Sequence, residues 1–402
     1  MSSRMHRAEF IALIAMLFAT IAFSIDSMLP ALPEIGQELS PTDINKAQLI
    51  LTSFVLGMGV GTFFTGPLSD ALGRKPVVYG GAALYILGSA IAWASSSLEL
   101  VLAARVLQGL GAAGPRVVAM AIVRDLYAGR EMARIISFAM MIFTLVPAVA
   151  PMLGAGVIAL AGWRGIFISF IIFSVISICW FGVRLPESLP SDKRRPFRIP
   201  LLMSAVAEMF QHPTVRLSII VQIFCMGALF TMLVMVQPAY EVVFDRADSF
   251  PYWFAFVALL SGTSSLFNAA LVMRLGTRRM VTWSLGVQIG LSGVMVLLTS
   301  ADLSTDLQFA LFVAWQTSVF FIAGTTLGNL NAMAMEPMGH IAGMAASVIG
   351  AVATVFAAVI AAPIGLLFDG SLLPLTGGIM AMCIIGFALM LRMGKVEARL
   401  AS

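Results

Sequence analysis

The chain has 402 residues and a formal net charge of +4, and 60% of its residues are hydrophobic while only 11% are charged. A soluble domain carries about 25% charged residues, so this composition excludes a soluble globular protein of this size. The basic residues lie in short loops between apolar runs, without interleaved aromatic residues, so the positive charge does not indicate nucleic-acid binding. We therefore expect an all-α polytopic membrane protein in contact with the lipid bilayer.

Twelve apolar runs are long enough to cross a bilayer, for which about 20 residues are needed. The first run continues past Ile25 with no small-residue cleavage site, so we interpret it as a retained helix and not as a signal peptide. The predicted spans are 8–29, 47–68, 77–96, 98–122, 135–159, 163–184, 215–238, 251–273, 280–299, 308–333, 341–367 and 371–393. Because twelve is even, both termini are expected on the same side.

The Lys and Arg residues predict which side that is, since they concentrate in cytoplasmic loops. With the N-terminus in the cytoplasm, 19 of the 24 fall in cytoplasmic segments and only Lys46, Arg164 and Arg246 in outer segments. Arg105 and Arg116 remain inside spans. This distribution predicts that both termini are cytoplasmic.

The longest polar stretch divides the chain into two halves. It predicts an N-terminal six-helix bundle at 1–184, a cytoplasmic linker at 185–213 and a C-terminal six-helix bundle at 214–402. Within the linker, 199–212 is typical of an amphipathic helix on the inner membrane surface. The loops ALGRKPV (71–77) and RLGTRRM (274–280) follow the second span of each half and share a Leu-Gly pattern, which indicates a duplicated fold.

Four polar residues lie inside the predicted spans 1 and 4, and three of them are charged. A charge at mid-membrane costs at least about 2.5–3.5 kcal/mol, so each of these three requires a structural or functional explanation. Asp26 and Arg105 both fall in the outer half of the bilayer, where they can meet across a central cavity. The alternatives are a static ion pair, or an Asp26 that reaches the interface. Gln108 and Arg116 share a helix face with Arg105 and extend it as a cavity wall, although Arg116 is equally compatible with a snorkelling anchor.

Other polar residues in the spans either line a cavity or hydrogen-bond between helices. The cavity candidates among them are Gln222, Gln237, Asn329 and Asn331. Cys179, Cys225 and Cys383 lie inside apolar runs and the three histidines lie outside the spans, so the spacing predicts no metal site, no cofactor and no catalytic group. An enzyme is therefore not expected.

The loop after span 2 reads GPLSDALGRKP (66–76) and resembles the loop signature of the major facilitator superfamily, with Ala71 at a position that is usually basic. The end of span 1, DSMLPALP (26–33), and the RVLQG of span 4 (105–109) resemble motifs of its drug:proton antiporters. Span 5 carries Pro147, Pro151 and Gly154, followed by GWRGIF (162–167), which is similar to the antiporter motif. The whole chain resembles multidrug efflux transporters of the Bcr/CflA type.

This resemblance implies twelve helices in two bundles, a bacterial inner-membrane location and proton-coupled export of small lipophilic compounds, with antibiotic resistance as the outcome. It implies that Asp26 carries the proton and contacts substrate, with Arg105 and Gln108 as coupling partners. It also implies a conformational latch formed by Asp70, Gly73, Arg74 and Asp125. Span 1 lacks a second carboxylate, so strongly cationic drugs are not expected as substrates, and a monomer is expected.

The same fold also serves carriers of other kinds, so the fold alone does not choose among them. A narrow-specificity metabolite exporter, an importer and a uniporter remain as alternatives. The partial antiporter motif favours export.

Overall fold

The computed structural model describes residues 5–301 and 303–401, of which 133, 143, 144 and 399–401 are described by their backbone alone. The described part is helical, as expected in lipid, where a helix satisfies every backbone N–H and C=O within one segment. The helices are α1 (Arg7–Asp26), α2 (Leu32–Leu39), α3 (Leu49–Leu72), α4 (Arg74–Ala94), α5 (Leu98–Leu126), α6 (Gly129–Arg184), α7 (Ile199–Gln211), α8 (Pro213–Pro238), α9 (Phe250–Gly262), α10 (Ser264–Leu275), α11 (Thr277–Leu298), α12 (Thr305–Met335), α13 (Ala342–Leu366) and α14 (Leu373–Ala401).

Ten continuous helical segments in the described part of the chain are long and apolar enough to cross a membrane. Two of them hold two spans each. The 56-residue α6 is divided at Gly162, whose φ of 65° is not helical, and the 62-residue segment Thr305–Leu366 contains α12 and α13. Counted in this way, the ten segments of the described residues hold twelve spans. Large apolar side chains such as Leu160 and Met273 are about nine-tenths exposed, as in a lipid-facing surface (91% and 88%).

The described helices form two compact units. The first comprises residues up to Pro41 and Ser53–Ile199, and the second comprises Thr42–Thr52 and the chain from Pro200 onward. The division after Ile199 falls inside the linker drawn from the sequence, whereas the assignment of Thr42–Thr52 to the second unit has no counterpart in the sequence-based division. In the first unit α1 packs against α5 and α6, and α4 packs against α5 and α6; in the second, α8 packs against α12, α13 and α14.

Span 8 contains a one-residue irregularity, which the hydropathy does not reveal, within a segment that is helical from Ala247 to Leu275. Helices α9 and α10 are separated at Thr263, whose hydroxyl donates to the Leu260 carbonyl oxygen at 2.6 Å. The Ser261 hydroxyl donates to the Thr317 carbonyl oxygen of α12 at 3.3 Å. Hydroxyl groups that bond backbone carbonyls compete with the helical hydrogen bonds and bend helices.

The two Leu-Gly loops adopt the same backbone conformation. Gly73 precedes α4 with φ 104° and ψ 163°, and Gly276 precedes α11 with φ 80° and ψ 156°. This region of conformational space is open almost only to glycine. The repeated Leu-Gly pattern in the sequence thus marks a repeated turn at the start of α4 and of α11.

Candidate functional site

A buried polar cluster lies in the first unit where α1, α4 and α5 meet. We call it the Arg105 cluster; its members are Ser24, Tyr85, Ser89, Arg105 and Gln108, each with at most 1% of its surface exposed. Arg105 donates from Nη1 to Gln108 Oε1 and from Nη2 to the Ser24 carbonyl oxygen at 3.1 Å. Gln108 Nε2 donates to Ser89 Oγ at 2.7 Å, and the hydroxyl oxygens of Ser24 and Tyr85 are 2.6 Å apart. The polar groups therefore satisfy one another, as buried groups must.

Helix packing holds the Arg105 guanidinium in place. Its Cζ lies 4.4 Å from the centre of the Phe54 ring, at a distance typical of a cation–π contact. Gly109 brings α5 against α3 here, since a Cβ at this position would overlap the Phe54 carbonyl oxygen and lie 2.8 Å from the Met58 nitrogen. The glycine of the RVLQG motif therefore has a steric role. Arg105 and Gln108 lie in packed interior and not on an open wall.

Asp26 is the last residue of α1 and is 4% exposed. The chain then turns through a 3₁₀ segment, Leu29–Ala31, into the short helix α2. Within the described residues, no ion pair or hydrogen bond joins Asp26 to Arg105. Arg105 instead contacts the backbone of Ser24, two residues before Asp26. The structure therefore brings the two predicted residues to the same end of α1 but not into contact.

The antiporter-like motif of α6 packs against the same end of α1. A Cβ at Gly154 would overlap the carbonyl oxygen of Ser27 and lie 2.9 Å from its carbonyl carbon. The two backbones are thus in direct contact immediately after Asp26. Pro151, one turn before Gly154, is buried, and Pro147 is half-buried. The motif fixes how closely α6 approaches the Asp26 segment.

A second group of residues fixes the far end of α2, and the sequence alone did not reveal it. Trp163 Nε1 donates to Glu38 Oε2 at 2.6 Å, and Arg164 Nη1 donates to Glu38 Oε1 at 2.7 Å. Arg164 also stacks on the Trp163 ring at 4.1 Å and donates to the Ser95 carbonyl oxygen at 3.0 Å. We call Glu38, Trp163 and Arg164 the Glu38 clasp. Together with Gly154, it restrains the segment that follows Asp26 at both ends.

The residues of the implied latch are in contact. Arg74 Nη1 donates to Asp70 Oδ1 at 2.6 Å, and its Nε donates to Asp125 Oδ2 at 2.8 Å. A third bond runs from Nη2 to Asp125 Oδ1 at 3.2 Å, so the Arg74–Asp125 pair is bidentate. The Arg74 side chain is only 7% exposed. We call Asp70, Arg74 and Asp125 the latch cluster; Gly73 supplies the turn that places Arg74 there.

Comparison with known proteins identifies the chain's family. The profile of the Major Facilitator Superfamily matches residues 12–363. The chain belongs to this superfamily. It is therefore a multi-pass membrane protein and a secondary transporter, and not an enzyme.

Several of the similar proteins within the superfamily are named as drug-resistance proteins. A bicyclomycin resistance protein homolog of Haemophilus influenzae is 27% identical over 329 residues, which cover 81% of this chain and 80% of that protein. A chloramphenicol resistance protein of Pseudomonas aeruginosa is 42% identical over 147 residues, which cover 36% of this chain and 35% of that protein. The resemblance to drug-efflux members, drawn from the motifs, is confirmed by these relatives.

Solved structures confirm the fold. The structure of a D-xylose–proton symporter superposes with a TM-score of 0.72 at 14% sequence identity, covering 96% of this chain and 97% of that chain. The predicted all-α major facilitator fold is confirmed by this match. At this identity the likeness concerns the fold alone.

The linker of this superfamily member is bound to the latch cluster, which the sequence did not predict. Glu187 accepts hydrogen bonds from the backbone nitrogens of Arg74 and Lys75, each at 2.9 Å. Ser188 Oγ donates to Asp125 Oδ2 at 2.9 Å, and the Arg195 nitrogen donates to the Asp70 carbonyl oxygen at 3.0 Å. A carboxylate at this helix start also complements the helix dipole. Glu187 therefore positions the first turn of α4, from which Arg74 projects.

Burial acts to raise the pKa of Glu187, but the backbone N–H groups of Leu189, Lys75 and Arg74 and the charge of Arg194 outweigh it, so this pKa lies below its ordinary value. A lowered pKa means stabilisation that is complete above the ordinary carboxyl pKa and is lost as the pH falls through the lowered value. We expect the thermal midpoints of wild type and Glu187→Gln to differ most at neutral pH and to converge below about pH 4. Differential scanning fluorimetry between pH 3 and 8 measures this.

The matched control for this prediction is Asp192→Asn, which changes an exposed carboxylate of the same linker. Its pH profile is expected to follow the wild type. Parallel profiles for wild type and Glu187→Gln would show that the carboxylate does not stabilise the α4 start.

The polar candidates of the second unit differ in their bonding. Gln237 Nε2 donates to Glu241 Oε2 at 3.0 Å, and Asn329 Nδ2 donates to Asn268 Oδ1 at 2.7 Å. Both therefore bond to neighbouring protein groups. Asn331 is half-buried, and Gln222 is 7% exposed with an Oε1 that has no partner among the described residues. Gln222 thus has a buried acceptor that no described residue satisfies.

Proposed function

We propose that this transporter exports small lipophilic compounds, antibiotics among them, across the bacterial inner membrane in exchange for protons. In this proposal both termini lie in the cytoplasm, on the side that carries most of the Lys and Arg residues. The bicyclomycin and chloramphenicol resistance relatives support the substrate class. The observation that carries the proton coupling is the burial of the Asp26 carboxyl at a helix end that Gly154 and Arg105 both contact.

Asp26 is the proton carrier in this mechanism. Carboxyl groups inside membrane spans serve as proton relays in pumps and transporters. Asp26 lies where α1 ends and the chain turns, so a small rearrangement of α1 against α6 changes its access to water. Arg105 holds the Ser24 carbonyl of the same helix end, so movement of α5 is transmitted to Asp26.

The latch cluster stabilises the conformation in which the cytoplasmic side is closed. The bidentate Arg74–Asp125 pair, whose side chains are 7% and 17% exposed, is well placed to do so, because such a pair is strong when both partners are present and a buried charge without its partner is costly. The cluster opens when the cytoplasmic side opens. Glu187 and Ser188 extend it into the linker.

The test is reconstitution in lipid vesicles that contain a pH-sensitive dye and carry an imposed pH gradient. Chloramphenicol, a sulfonamide and a lipophilic cation are added in turn. The expected result is proton movement triggered by chloramphenicol or the sulfonamide and absent from empty vesicles. Uptake of a compound without proton movement would contradict proton coupling and favour a uniporter. Movement with a single metabolite only would favour a narrow-specificity carrier.

A further inference from the structure

The turn that begins α11 repeats the turn that begins α4. Gly276 precedes α11 with φ 80° and ψ 156°, and Gly73 precedes α4 with φ 104° and ψ 163°. In the first unit this turn binds a carboxylate, because the backbone nitrogens of Arg74 and Lys75 both donate to Glu187 at 2.9 Å. One half of the chain therefore shows that this backbone conformation holds an anion.

The same turn in the second unit has no carboxylate of its own. Among the described residues, no side chain caps the start of α11. At α4 the linker supplies Glu187 soon after α6 ends at Arg184, whereas α14 continues as a helix to Ala401. The first N–H groups of a helix have no acceptor within it. In the described part of the chain, those of Thr277 and Arg278 therefore lack the partner that Glu187 provides at α4.

A cavity of about 250 Å³ lies at this turn, and Gly276, Thr277, Arg278 and Arg279 form part of its wall. A water molecule takes about 30 Å³ in the liquid, so a group several times larger fits. Gly276 is exposed, and a Cβ there would meet nothing within 4 Å, so the turn itself is accessible. The residues with unbonded N–H groups thus line a space that a ligand can enter.

The charged side chains around the cavity leave one arginine available to a ligand. Arg278 Nε donates to Glu397 Oε2 at 2.8 Å, so these two charges neutralise each other. Arg279 is exposed and makes no ion pair with any residue that the structure describes. The helix dipole adds positive potential at the same point. Glu336, on another part of the wall, carries a charge that opposes an anion.

We propose that this cavity binds a phosphate group, held by the N–H groups of Thr277 and Arg278 and by the guanidinium of Arg279. The phosphate takes the place that the Glu187 carboxylate has at α4. Helix starts and arginine side chains are common phosphate ligands in proteins. Free phosphate and the headgroup of an anionic phospholipid share this chemistry. The site has no part in the proposed export mechanism, so its test does not depend on that function.

The test follows the phosphorus NMR resonance of two soluble probes with the full chain in dodecyl maltoside micelles, which contain no phosphate. The probes are inorganic phosphate and glycerophosphoglycerol, the headgroup of phosphatidylglycerol without its acyl chains. Both resonances are expected to broaden with the wild type. Arg279→Gln is expected to weaken binding about ten- to a hundredfold, as loss of a charge-assisted hydrogen bond does. Glu336→Gln removes the opposing charge and is expected to tighten binding.

A pair of substitutions at Thr277 tests the backbone donors. Thr277→Pro removes one N–H group and is compatible with the fold, because proline suits the first position of a helix. Thr277→Ala keeps the N–H group. Only Thr277→Pro is expected to weaken phosphate binding.

Arg274→Gln is the matched control for Arg279→Gln, because Arg274 is an exposed arginine five residues earlier, at the end of α10. It is expected to bind both probes as the wild type does. Binding that is unchanged in Arg279→Gln or in Thr277→Pro, or that is absent for both probes, would overturn the proposal. Arg279-dependent binding of glycerophosphoglycerol alone would identify a lipid headgroup as the ligand, and such binding of inorganic phosphate alone would identify free phosphate.

Discussion

Replacement of Asp26 by asparagine is expected to reduce compound-driven proton movement to the level of empty vesicles. Asparagine keeps the size and polarity of the side chain but cannot bind and release a proton at neutral pH. Asp26 is 4% exposed and is the last residue of α1, so the substitution changes protonation with little change in packing. The measurement is dye-reported proton flux in vesicles after addition of chloramphenicol.

Two further measurements separate coupling from folding. Equilibrium exchange of labelled chloramphenicol, which needs no net proton transfer, is expected to persist in Asp26→Asn. Glu34→Gln is the matched control, since Glu34 is an exposed carboxylate in α2, eight residues away. Normal proton flux in Asp26→Asn would remove Asp26 from the mechanism, and equal losses in both variants would indicate a general structural effect.

The number of spans could be predicted from the sequence because the bilayer imposes a simple requirement. Every span must be a helix of about 20 apolar residues, and the runs are separated by charged loops. The breaks within spans could not be predicted in the same way. The irregularity at Thr263 involves hydroxyl groups that bond to backbone carbonyls, one of them the Thr317 carbonyl of another helix. Apolar composition does not record such bonds.

The candidate site was predictable at the level of residues but not of contacts. Asp26 and Arg105 are conspicuous because they are charges inside apolar runs. Gln108 lies one turn from Arg105 on the same helix and shares its face, as predicted. The Ser24 carbonyl lies beside Arg105 because α1 packs against α5, which the sequence does not record. A sequence pattern identifies a side chain that needs a partner and does not say which of several nearby acceptors will serve.

Glu38 and Glu187 escaped the sequence analysis for a related reason. Both lie in polar segments outside the apolar runs, where a carboxylate needs no explanation. Their partners are more than 100 residues away, at Trp163 and Arg164 for Glu38 and at the start of α4 for Glu187. The GWRGIF pattern did mark one side of the Glu38 clasp, because it resembles part of the antiporter motif.

Replacement of Gly154 by alanine is expected to destabilise the protein and to lower its transport rate. The added methyl group would overlap the Ser27 carbonyl oxygen and lie 2.9 Å from the carbonyl carbon. Backbone atoms cannot rotate away as a flexible side chain can, so α6 and the end of α1 must separate. Overpacking of this kind costs typically about 1–3 kcal/mol. The measurements are the thermal midpoint in nanodiscs and the chloramphenicol-driven proton flux.

Gly156→Ala is the matched control, because it makes the same chemical change two residues along the same helix, where an added Cβ meets nothing within 4 Å. It is expected to leave transport unchanged and to be neutral or slightly stabilising, since alanine favours helix over glycine. The two variants have the same composition, so a difference between them isolates the contact with Ser27. If Gly154→Ala matched Gly156→Ala in both measurements, close approach of α6 to the Asp26 segment would not be needed for transport. If only Gly154→Ala loses proton flux, and the loss is larger than its lower thermal midpoint accounts for, then the close approach of α6 sets the position of Asp26.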